Sequence, residues 1–185
     1  MKKLFTLLFC SAFILTSCSD DGPAGPQGPQ GPAGPPGDDG LIGTVIDLEG
    51  SFTAANNYEL FLDFNDAGVE VFETDAVLVY LKVGEDGTAG GAPVEVFRML
   101  PQTYFLDGGA LQYNFDFTFF DVLIFLDGTI DFATLDPSYT QNQVLRIVVV
   151  PASFAASGVD LSNMNAVMKS LDLTPNDVIK ARIRN

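Results

Sequence analysis

The chain has 185 residues, with 24 Asp and Glu against 9 Lys and Arg, a net charge of −15, two cysteines and no histidine. Such an acidic balance repels phosphate backbones and anionic membrane surfaces, so nucleic-acid binding is not expected. The absence of histidine excludes Cys–His nucleophiles and Ser–His–Asp triads, and leaves no zinc site to build.

Lys2 and Lys3 precede an apolar run from Leu4 to Leu15. That run is too short to cross a bilayer as a helix and has the length of a signal-peptide core. It ends in Leu15-Thr16-Ser17-Cys18: an aliphatic residue, two small ones and a cysteine. This resembles the lipobox of bacterial lipoproteins. The resemblance implies that residues 1–17 are a cleaved signal peptide. Cys18 then becomes the N-terminus, bearing a thioether-linked diacylglycerol and an amide-linked fatty acid. Each buried methylene contributes about 0.8 kcal/mol, so several acyl chains make a lasting membrane anchor. Cys10 is lost with the leader and Cys18 is consumed, so no disulfide is expected in the mature monomer. Ser19-Asp20-Asp21 completes a tether over residues 18–21. It resembles the surface-export signal of Bacteroidetes lipoproteins, which implies display on the outer face of the outer membrane. An ordinary polar tether with periplasmic retention is the other reading.

Glycine then falls on every third position: Gly22, Gly25, Gly28, Gly31, Gly34, Gly37, Gly40 and Gly43. Pro23, Pro26, Pro29, Pro32 and Pro35 follow the first five glycines. Residues 22–43 therefore resemble a collagen repeat, in which only glycine fits the axis of three polyproline II strands. As a triple helix this stalk implies a homotrimer. As a single chain it is a semi-rigid arm rising about 3.1 Å per residue, a reach of roughly 45–70 Å.

Residues 44–185 read as one β-rich globular domain. Alternation places Ile46, Leu48 and Phe52 on one face of a first strand, with Asp47, Glu49 and Ser51 on the other. Strands are expected over 58–64 and 76–83, with turn residues Gly84-Glu85-Asp86-Gly87 and Gly90-Gly91 before a returning strand over 94–100. The clearest alternation is 111–119. The strongly apolar runs 122–126 and 144–150 predict strands buried on both faces or at the centre of a sandwich. Asp107-Gly108-Gly109 and Asp127-Gly128 carry hairpin-turn chemistry. Short strands without strand–helix alternation predict a mainly β, antiparallel β-sandwich or jelly-roll-like domain. Leu161, Met164, Val167, Met168 and Leu171 predict a helix with Ser162 as its N-cap, and Thr174-Pro175 a second short one. These helices are expected to cover an open end or one face of a sheet. Lys180, Arg182 and Arg184 read as a solvated basic tail.

The whole chain resembles collagen-like lipoproteins of Bacteroidetes, which join a lipobox, a brief Gly-Pro-X run and a β-rich C-terminal domain. The segments Leu100-Pro101-Gln102-Thr103, Asp107-Gly108-Gly109-Ala110-Leu111-Gln112-Tyr113-Asn114-Phe115 and Tyr139-Thr140-Gln141-Asn142-Gln143 look like recurring elements of that set. The resemblance implies architecture and location; the family carries no assigned activity.

Candidate ligand-binding residues are few. Asp127 and Asp131 have a spacing a calcium loop could use, and Asp63, Asn65 and Asp66 form a second oxygen-rich segment. Turns select the same residues for structural reasons. Tyr104, Tyr113 and Tyr139 could line a ligand groove or belong to the core. No enzyme activity and no cofactor are expected. The expected function is a non-enzymatic surface or envelope protein held to the membrane by its lipid. A glycan- or calcium-binding accessory lipoprotein is the alternative.

Overall fold

The computed structural model describes residues 43–155 and 157–183. The leader, Cys18, the tether and the stalk glycines up to Gly40 lie outside the described residues, as does Arg184.

Among the described residues nine strands form two sheets. They are β1 (Thr44–Gly50), β2 (Glu59–Asp63), β3 (Ala76–Ala89), β4 (Ala92–Met99), β5 (Gln102–Leu106), β6 (Gly109–Phe117), β7 (Asp121–Gly128), β8 (Gln143–Val150) and β9 (Ile179–Arg182). The first sheet has the order β4-β3-β8-β1-β9, antiparallel except for the parallel pair β1–β9. The second is wholly antiparallel, in the order β2-β7-β6-β5. Helices are short: α1 (Pro137–Thr140), α2 (Ala152–Ala155) and α3 (Met164–Ser170). The chain is mainly β, as the alternation predicts.

Alternate residues of the two sheets share one core, in which Ile46, Leu48, Val79 and Ile147 meet Leu60, Tyr113, Val122 and Ile124. A second core lies on the other face of the first sheet. There Val45, Leu78, Tyr80, Val148 and Val150 pack against Met164, Val167, Met168 and Leu171 from α3 and the residue after it. The helical spacing of those apolar residues thus matches a helix laid on a sheet face. Its N-cap is Asn163, whose side chain accepts from the Ala166 N–H at 3.1 Å, rather than Ser162. Ser162 instead donates to Asp160 at 2.7 Å.

With a core on each side, β8 has no solvent face, and Leu145 to Val150 are all buried. β7 differs from expectation: Val122, Ile124 and Leu126 are buried, while Leu123 and Phe125 are half-buried on the outer face of the second sheet.

The turns correct the reading in two places. β3 runs through Gly84–Gly87 with register shifts, and its hairpin closes at Gly90-Gly91, both at positive φ (61° and 84°). A two-residue turn matching strand twist requires that conformation at both positions. Asp127-Gly128 is not a turn; Gly128 ends β7 opposite Leu111. Glycine is needed there because a Cβ would lie 2.1 Å from the Ala110 carbonyl oxygen, at a φ of +143°. The β6–β7 connection is Thr118-Phe119-Phe120. The segment after Thr174 forms one 3-10 turn (Pro175–Asp177) and then enters β9, so Lys180 and Arg182 are strand and not tail.

Candidate functional site

The most built polar arrangement among the described residues crosses the helix-covered face of the first sheet. Tyr80 (β3), Arg146 (β8), Asp47 (β1) and Lys180 (β9) stand in one cross-strand row. Asp47 and Arg146 are 5% and 7% exposed. A charge that deeply placed must be paired and hydrogen-bonded to persist.

Arg146 meets that demand with each arm of its fork. Its Nε donates to Asp47 Oδ1 at 2.7 Å and its Nη2 to Asp47 Oδ2 at 2.9 Å. The same Nη2 reaches Glu95 Oε2 at 3.4 Å, and Nη1 faces Met164 Sδ at 3.5 Å. The guanidinium carbon sits 4.2 Å above the centre of the Phe97 ring, a cation–π contact. Lys180 Nζ donates to the second oxygen of Asp47. The row continues through Glu95, which accepts from Lys82 at 2.9 Å, and Lys82 also donates to Glu85 at 2.9 Å. One residue pair further along, Arg182 donates to Glu49 at 2.5 Å.

Burial pushes the Asp47 carboxyl up, but hydrogen bonds and charge from Arg146 and Lys180 outweigh it and hold Asp47 below the ordinary value. The hydrogen bond to Glu85, reinforced by Glu95, raises Lys82. Asp47 is therefore a fixed anion and not a proton donor poised near neutrality. Burial raises the Tyr80 hydroxyl as well, with the Asp160 charge adding to it. That hydroxyl donates to the Leu161 carbonyl at 2.5 Å, stapling the segment before α3 to the sheet.

Three shallow depressions border this row. One of about 380 Å³ is lined by Asp47, Glu49, Val144, Lys180 and Arg182. Another of about 470 Å³ is lined by Glu95, Phe97, Asp160 and Asn163. The third, about 340 Å³, lies between Arg146, Met164, Met168 and Pro175. They fall at the small end of ligand-site volumes, and the charges at their walls already neutralise one another. No buried side-chain polar atom among the described residues lacks a hydrogen-bond partner. The arrangement cross-links all five strands of the first sheet and a helix; it presents no activated nucleophile.

The residues singled out by sequence fall elsewhere. Tyr104, Tyr113 and Tyr139 do come together, with edge-to-face contacts at 5.9 and 5.6 Å, but they pack on the main core. Tyr113 is buried, and its hydroxyl donates to the Tyr139 carbonyl at 2.5 Å. Asp63 accepts from the N–H groups of Asn65 and Asp66, a turn-forming role. Asp127 accepts from the Gly128 N–H at 2.7 Å, and Asp131 from the Ala133 N–H at 3.0 Å, capping a 3-10 turn. Among the described residues no cluster of three or more acidic side chains is arranged to hold a metal ion. Gly43, the last glycine of the triplet series, is buried, and a Cβ there would lie 2.5 Å from Leu171 Cδ1. A larger residue there would have to displace the end of the Leu171 side chain.

Arg146 went unnoticed in the sequence, although a signal was present. It is a single charge within Val144-Leu145-Arg146-Ile147-Val148, and a lone charge in a doubly buried strand implies a buried partner. Comparison of the chain with protein-family models, with curated proteins and with solved structures finds no match.

Proposed function

We propose that the protein is a cell-envelope lipoprotein, anchored through acylated Cys18, that presents a non-enzymatic structural or adhesive domain on a collagen-like stalk. The observation that carries this reading is the order of sequence features. A charged start, an apolar run, Leu15-Thr16-Ser17-Cys18 and eight glycines in triplet spacing lead without a gap into β1 at Thr44. The body is read as a β-sandwich. The pairings β1–β8, β3–β8 and β2–β7 support a jelly-roll-like plan, from which the β3–β4 hairpin and the β5-β6-β7 meander depart. The non-enzymatic reading is supported by a polar row whose charges are spent on one another. The triplet glycines support a homotrimer, and Ser19-Asp20-Asp21 supports display on the outer face of the outer membrane.

Protease treatment of intact cells tests the location. Removal of the body without lysis is expected, whereas a body protected until the outer membrane is broken contradicts surface display.

A further inference from the structure

Four phenylalanines are exposed at one end of the body: Phe72 (59%), Phe117 (46%), Phe119 (40%) and Phe120 (53%). Phe117 ends β6, and Phe119 and Phe120 occupy the β6–β7 turn. Thr118 and Asp121 alone build that turn. The Thr118 N–H donates to the Asp121 carbonyl at 2.9 Å. Its hydroxyl donates to Asp121 Oδ1 at 2.9 Å and accepts from the Phe120 N–H at 3.0 Å. Nothing in that bonding calls for aromatic residues at 119 and 120, yet both are exposed, with ring centroids 3.9 Å apart. Phe115 stacks on Phe117 at 6.2 Å and extends the patch along the sheet. The Phe120 carbonyl accepts from the Phe64 N–H at 2.9 Å, which brings the loop carrying Phe72 to the same end.

That end is also where β1 begins. A Cβ on Gly50, the last residue of β1, would lie 2.8 Å from Leu60, so the end of β1 adjoins the start of β2. β2 ends at Asp63, opposite Asp121 beside the aromatic turn, and residues 64–75 lead from there to Ala76, the first residue of β3. Thr44 and Ala76, the first residues of β1 and β3, lie at the same end of their sheet, opposite Val149 and Val150.

Directly before Thr44 the sequence carries its eight triplet glycines. On the trimer reading, three such chains would share one axis, and three copies leaving it would meet through the residues around the start of β1. Five triplets carry Pro after Gly and only Pro36 occupies the third position. So short and proline-poor a helix needs further contacts to hold it together. Exposed apolar patches at the surface of a folded body mark contact sites, and this one lies where three copies must converge. Resting on the trimer reading above, we infer that Phe72, Phe117, Phe119 and Phe120 form the surface through which three copies of this chain associate.

Sedimentation of the full-length lipoprotein in mild detergent, with the detergent mass subtracted, tests this. The wild type is expected to be a trimer, and the combined Phe117→Ser, Phe119→Ser, Phe120→Ser variant a monomer. Phe105→Ser, which alters a more exposed ring (87%) on β5, should remain a trimer. Phe119→Cys gives an independent readout that does not depend on the triple variant folding: mild oxidation should link copies by a disulfide at that position. A monomeric wild type overturns the trimer reading and this inference with it. A trimeric wild type that the triple variant leaves intact, with no disulfide at Phe119→Cys, overturns this inference alone.

Discussion

Asp47 and Arg146 stand directly opposite one another in adjacent antiparallel strands, joined by two parallel hydrogen bonds of 2.7 and 2.9 Å beneath α3. Their residue numbers differ by 99, so the pair ties the first strand of the domain to its central one. Lys180 brings the last strand to the same carboxylate. A single acidic side chain therefore holds three strands in register.

Removing one partner should cost far more than removing both. Asp47→Ala leaves a buried guanidinium whose remaining contacts are Glu95, Met164 and Phe97. A loss of about 3–5 kcal/mol in unfolding free energy is expected, read from urea denaturation. The double variant Asp47→Leu, Arg146→Met should recover most of that loss, because neither charge is then buried alone. Equal destabilisation in single and double variants would show that the pair does not act as a unit.

The same carboxylate makes stability depend on pH in one direction. Its folded value lies below the unfolded one, so its contribution is complete above the unfolded value of about 4 and is lost as pH falls through the folded value. Wild-type urea midpoints should fall on acidification below about pH 4, and Asp47→Asn should flatten that limb. Asp136 and Asp177, lowered by hydrogen bonds from Ser138 and Thr174, leave a residual slope.

Tyr113→Phe should lower stability by about 1–2 kcal/mol, since it removes the hydroxyl that satisfies the Tyr139 carbonyl while keeping the ring contacts. Burial raises Tyr113 and Tyr80 above their ordinary value. Their contribution is complete below an unfolded value of about 10 and is lost as pH rises beyond it. In an ultraviolet titration both should ionise only together with unfolding.

Gly128→Ala should destabilise by about 3 kcal/mol or more, because the added methyl meets the Ala110 carbonyl and the backbone sits at positive φ. Gly87→Ala has the same sign of φ but open space around it, and should cost about 1 kcal/mol. Matching losses would mean that the close approach at Gly128 is relieved by backbone movement.

Millimolar calcium should leave the melting temperature unchanged. Asp127 and Asp131 already accept backbone N–H groups, and no third acidic ligand joins them among the described residues. A rise in melting temperature with calcium would restore the metal-binding alternative.

Much of the fold was legible where one physical demand acts on consecutive residues. Apart from Arg146, the run 144–150 is apolar because β8 has a core on each face, and Met164, Val167, Met168 and Leu171 repeat helically because one helix side rests on the sheet. What escaped reading depends on partners distant in sequence. Asp47 looks like an ordinary solvent-facing residue of an alternating strand, and only Arg146 and Lys180 reveal that its face is covered. β9 is four residues long, and its Lys180 and Arg182 look like tail residues until Asp47 and Glu49 are placed opposite them. Gly128 resembles a turn glycine because the steric demand of Ala110, eighteen positions earlier, leaves no local trace. The charged row, the closest thing to a site, was for the same reason invisible except for the lone Arg146.

The most direct test of the lipoprotein reading is mass spectrometry of the N-terminal peptide of the chain recovered from cell membranes. A peptide beginning at Cys18 and carrying a thioether-linked diacylglycerol is expected. A chain that retains residues 1–17, or one whose Cys18 is a free thiol, would contradict it.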